Sequence, residues 1–150
     1  IWLPGLAQYA RGKGQTAARM SLCVFIAGKS AACLAGLLFS LSWTHSVEKT
    51  EWVEYWQLKD EQLVLKETFV KGSGAGIDPA PNAVLDKGWY RWAPESPVRV
   101  PAISLANSEL TPDNWMLCAL DPVTYQTGEC IDFAKFEDRG VESFTLQASK

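Results

Sequence analysis

The chain has 150 residues, 47% of them apolar and 21% charged, which suits one folded domain and excludes a disordered chain. The net charge of −3 hides an asymmetry: residues 1–47 carry Arg11, Lys13, Arg19 and Lys29 and no acid, while all 17 acids come later. That acidic later part lacks the basic patch nucleic acid requires, so no nucleic-acid partner is expected.

Residues 1–19 are short, basic and Gly-rich, and are expected to form a cytoplasmic N-terminal segment. Pro4-Gly5-Leu6-Ala7-Gln8-Tyr9, with Gly12 and Lys13 after it, resembles a turn found beside helices of small integral membrane proteins. That resemblance implies an earlier membrane helix before Ile1. Arg11-Gly12-Lys13-Gly14, followed by Gln-Thr-Ala and an apolar run, is similar to a prepilin leader, which implies cleavage after Gly14. Pilin subunits usually carry Glu five residues after the cut, where this chain has Arg19.

Residues 20–43 are the densest apolar stretch, with 17 apolar residues in 24. As a helix they would span about 36 Å, enough to cross a hydrocarbon core of roughly 30 Å. Basic residues before the stretch and acids after it put the N-terminus in the cytoplasm by the positive-inside rule. Trp43, Trp52, Tyr55 and Trp56 then fall where an interfacial aromatic belt sits. Gly28, Ala32 and Gly36 recur every fourth residue beside Lys29, a small row that lets a second helix approach closely. A partner or self-association through this helix is therefore expected. On such a helix Cys23 and Cys33 are too far apart to bridge and act as small apolar fillers.

Residues 44–150 read as a β-rich domain rich in turns. Trp52, Glu54, Trp56 and Leu58 alternate with Val53, Tyr55 and Gln57, a strand pattern with aromatic residues on both faces, and a helix over 46–58 continuing from the membrane is the competitor. Residues 59–62 form a turn, 63–70 a strand, and the Gly- and Pro-rich 71–82 a loop. An Asp-Lys-Gly turn at 86–88 marks a hairpin. Pro94, Pro97 and Pro101 confine the next stretch to an edge strand or extended coil. Strands over 115–120, 129–136 and 141–148 complete the domain. Cys118 and Cys130 flank the loop of the last hairpin and suit a disulfide in an oxidising compartment.

Chemistry is sparse. The one His, His45, has no Cys or His neighbour at metal-ligand spacing, and no GxSxG elbow is present. Lys71-Gly72-Ser73-Gly74-Ala75-Gly76 lacks the ending of a phosphate loop. Carboxylates such as Asp132, Glu137 and Asp138 form no spacing that separates an acid–base pair from a solvated surface. No catalytic residue, cofactor or metal is expected. The aromatic load is the unusual feature: of seven Trp, two flank a Tyr and an Arg in Trp89-Tyr90-Arg91-Trp92, residue types enriched at protein contacts.

The expectation is an α+β membrane protein, with one N-terminal transmembrane helix followed by a small β-rich extracytoplasmic domain. It sits in a bacterial-type inner (plasma) membrane, in contact with the lipid bilayer and a membrane protein partner. Its expected role is a non-enzymatic structural or accessory subunit of a multi-protein cell-envelope complex of the secretion, conjugation or pilus type. The alternatives are a pilin-like subunit processed after Gly14 and an envelope binding or immunity protein.

Overall fold

The computed structural model describes residues 20–44, 50–71, 79–106, 113–139 and 142–149. The segment 1–19 with its Gly14 site, His45, and the Gly-rich residues 72–76 lie outside them. The described elements are β1 (Ser21–Ile26), β2 (Lys29–Ala35), β3 (Leu38–Thr44), β4 (Glu51–Lys59), β5 (Gln62–Lys71), β6 (Val84–Asp86), β7 (Trp89–Trp92), β8 (Arg99–Val100), β9 (Ala102–Ala106), β10 (Asp113–Leu120), β11 (Thr127–Asp132), a 3-10 helix (Phe133–Arg139) and β12 (Ser143–Ser149).

These strands form two antiparallel sheets. A small sheet runs β2-β1-β12-β9, and a large one runs β11-β10-β3-β4-β5-β7-β6, with β8 on β5. One core lies between them. Leu22, Val24, Leu34, Leu105, Phe144 and Leu146 come from the small sheet, and Phe39, Leu41, Trp56, Leu58, Leu63, Leu117 and Ile131 from the large one. Phe133 and Phe136 of the 3-10 helix close it, with Phe133, Phe136 and Phe144 centroids 4.9 to 5.8 Å apart. The edge strands β2 and β11 approach each other on one side. Trp115 adds a tie between sheets, donating from Nε1 to the Ala106 carbonyl at 3.3 Å.

The expected transmembrane helix over 20–43 is overturned, because that stretch folds as β1, β2 and β3. No helix among the described residues is long and apolar enough to cross a membrane. The reason lies in period. Phe39, Leu41 and Trp43 face the core while Ser40 and Ser42 face away, a two-residue alternation that a summed hydropathy conceals. Leu22 and Val24 flank Cys23 in the same way.

The helix-packing row falls with the helix. Gly28 (φ +81) and Ala27 (φ +51) form the two-residue turn between β1 and β2. Left-handed φ at both positions is what this hairpin turn demands. Lys29 is exposed at the start of β2 and Ala32 is half-buried within it. Gly36, at φ +144, carries the chain from the small sheet into the large one. Its N–H donates to the Met20 carbonyl at 3.2 Å. Trp43, Trp52, Tyr55 and Trp56 are strand residues of β3 and β4.

Cys23 and Cys33 are also corrected: they form a disulfide, as do Cys118 and Cys130. Each pair sits directly opposite across a hairpin with Cα atoms 4.0 Å apart. A register shift lies between each turn and its cysteine pair, at Val24/Phe25 and at Cys118/Leu120. In the β1–β2 hairpin the unshifted register would set Cys23 against Ala32, so the bulge is what brings the sulfurs together.

Candidate functional site: a groove on the outer face of the large sheet

The face of the large sheet turned away from the small sheet is the one an antiparallel sheet usually leaves polar. Here part of it, across β4, β5 and β7, is aromatic. Val53 pairs with Phe69 and Phe69 with Arg91, so these three form a row across β4, β5 and β7. Lys71 pairs with Trp89 and Trp89 with Asp86, which makes a second row beside it. Tyr55 stands next to the first row, its ring 4.8 Å from that of Phe69.

These residues enclose a groove of about 310 Å³ lined by Val53, Tyr55, Phe69, Asp86, Lys87, Trp89 and Arg91. That is near the lower end of ligand-sized cavities, roughly 300–1,000 Å³. Lys87 reaches the rim from the two-residue turn of the β6–β7 hairpin, Lys87-Gly88, with φ of +53 and +89. Lys71 Nζ lies 5.6 Å from the Trp89 ring, a cation over an aromatic face. Two cations and one acid line the groove, a positive lining on a chain whose net charge is −3.

A loop covers the far side of Tyr55. Asp121 Oδ1 accepts from the backbone N–H of Val123 (2.8 Å) and Thr124 (2.9 Å). The Tyr125 N–H donates to the Asp121 carbonyl at 2.8 Å. This turn sets the Tyr125 ring 5.6 Å from Tyr55. Loss of water, then the nearby Glu67 charge and Tyr125, push the Tyr55 phenol up from its ordinary value. Tyr55 thus keeps its proton and offers an O–H donor at the groove. The Cys118–Cys130 disulfide shares this outer face, since Ser40 pairs with both Cys118 and Tyr55.

The Trp89-Tyr90-Arg91-Trp92 cluster is split by strand alternation. Trp89 and Arg91 line the groove, whereas Tyr90 and Trp92 point to the opposite face beside Val70 and Thr68. Val53, Tyr55 and Phe69 were not singled out in the sequence as groove residues, although their period of two was visible there. A smaller hollow of about 240 Å³ lies at the end of β3 and β4, beside the stacked Trp43 and Trp52 rings. Among the described residues no group of three His, Cys, Asp or Glu could hold a metal ion.

The family described as Domain of unknown function (DUF1850) matches residues 39–123, more than half of the chain. The chain belongs to the DUF1850 family. The matched segment begins in β3 and ends just past β10, so it contains every groove residue of this DUF1850 domain. Strands β1, β2, β11 and β12 lie outside it, together with Cys23, Cys33 and Cys130. No curated protein and no solved structure matches the chain.

Proposed function

We propose that this domain works outside the cytoplasm as a non-enzymatic accessory subunit of a multi-protein cell-envelope complex, and that it binds a protein partner through the groove face. The observation that carries the reading is the composition of that face: Tyr55, Phe69, Trp89 and Arg91 converge where solvent-facing polar residues are the rule. Two disulfides support an oxidising compartment, where such bonds persist. The positive lining favours a partner surface that presents acids beside apolar side chains.

The test is crosslinking in intact cells of the encoding organism, followed by identification of what stays bound. The same component should be recovered with the wild type and with Glu142→Ser, an exposed control away from the groove. Trp89→Ala combined with Arg91→Ser should lose it, by tenfold or more, with an unchanged melting temperature. Equal recovery from all three forms removes the reading. Four alkylatable thiols in freshly lysed cells would remove the compartment.

A further inference from the structure

We infer that β6 is a self-pairing edge: two copies of the chain join through antiparallel β6 strands centred on Leu85, continuing the large sheet across a two-fold axis. This is separate from the groove reading: it rests on Val84 and Leu85, which do not line the groove, and shares only the side chains of Asp86 and Arg91 with it.

Among the described residues strand β6 ends the large sheet, with β7 on one side. Val84 is 55% exposed and Leu85 59%. They point to opposite faces, Val84 with the groove residues and Leu85 with its pair Tyr90. Natural sheets end in charge, proline or a cover, because an open apolar edge templates another strand. Here Val84 on the outer face and Leu85 on the inner face are both exposed, Asp86 is the one charge of the strand, and one more strand would cover both apolar side chains.

Backbone geometry selects the register. In a two-residue hairpin the closing pair, here Asp86 and Trp89, exchanges the hydrogen bonds. Alternation then turns the N–H and C=O of Leu85 towards the open edge, while those of Val84 and Asp86 turn towards β7. The Ala83 N–H is already given to the Ala80 carbonyl at 2.9 Å. An antiparallel second β6 satisfies both Leu85 groups when Leu85 meets Leu85. Shifting by one residue would pair opposite faces, so parity excludes it.

Side chains agree with that register on both faces. On the inner face Tyr90, Leu85, the second Leu85 and the second Tyr90 form a continuous apolar row. On the outer face Val84 meets Asp86 of the second copy, and Arg91 stands behind Val84. Arg91 and that Asp86 are two strand spacings apart, about 9.5 Å, a span the two side chains bridge over Val84. The two-fold axis repeats the pair, as an isologous interface requires. Both grooves then open on the same side of the joined sheet.

A strand this short covers less than the roughly 1,200–2,000 Å² of a standard interface, so the dimer is weak and forms at high concentration. Sedimentation equilibrium of the full chain from about 20 µM to about 1 mM should show reversible monomer–dimer exchange. Leu85→Pro removes the outward N–H without touching the bonds to β7, and should raise the dimer dissociation constant tenfold or more. Leu85→Cys should crosslink two chains under mild oxidation, whereas Val84→Cys, facing Asp86 of the second copy, should not. A chain that stays monomeric at about 1 mM, an undiminished dimer in Leu85→Pro, or equal crosslinking at both positions would each overturn the inference.

Discussion

Glu54 lies on the core-facing side of β4, between Trp52 and Trp56, and accepts a hydrogen bond from Trp56 Nε1 at 3.0 Å. Burial raises its carboxyl pKa, and the indole bond offsets part of that rise. The folded chain therefore holds this proton at pH values where the unfolded chain has released it. Stability from this group falls as pH rises from the ordinary carboxyl range through the raised value, and the deficit persists at neutral pH. Glu54→Gln keeps an acceptor for the indole and removes the charge, so it should melt higher than the wild type at pH 7. The two forms should converge near pH 4. Thermal melts across that range check the sign. Asp121 behaves in the opposite sense. Backbone donors from Thr124 and Val123 lower its pKa, so its contribution is lost as pH falls through that lowered value. Asp121→Ala should speed amide exchange at Val123 and Thr124 and release Tyr125 from Tyr55, with little change in the global melt.

At the level of elements, the unit of construction is the hairpin with a left-handed two-residue turn. It appears at Ala27-Gly28, Asp60-Glu61 and Lys87-Gly88. Two of these were legible in the sequence: the polar run at 59–62 and the Asp-Lys-Gly at 86–88 carry turn chemistry that summed hydropathy does not mask. Ala27-Gly28 was not, because it sits inside an apolar stretch and its Gly fits a helical row of small residues equally well. The same stretch concealed Cys23 and Cys33, ten residues apart, which are remote on a helix and adjacent across a hairpin. Cys118 and Cys130 were legible because polar turn residues separate them. Replacing Cys118 and Cys130 together by Ala should cost about 3 kcal/mol in the loop-entropy account. Denaturant melts measure that, and the midpoint should fall.

For the whole molecule, the core depends on both sheets, while the family match covers the large sheet only in part. A chain cut to residues 39–123 loses Leu22, Val24, Leu34, Phe144 and Leu146 from the core. It should not fold, and circular dichroism and proteolysis of that fragment test this. Deleting even one buried Leu typically costs about 2–5 kcal/mol, against a total stability of roughly 5–15 kcal/mol. The groove was half legible at this scale. Trp89 and Arg91 stood out by residue type, but their neighbours Tyr55 and Phe69 come from strands whose pairing only the fold reveals. Residue type marks a candidate contact; register decides which of its side chains share a face.

The two bulged hairpins have a consequence for how the chain matures. In each, the sulfurs meet only after one extra residue has been accommodated between the turn and the cysteines. A strand slipped by one position would send its core residues to the solvent side and its cysteine away from its mate. Oxidation thereby acts as a gauge of correct alignment: it seals a properly set hairpin and leaves a slipped one open to try again. The check is made once at each of two edge strands, β2 and β11, which among the described residues are hydrogen-bonded to a neighbouring strand on one side only.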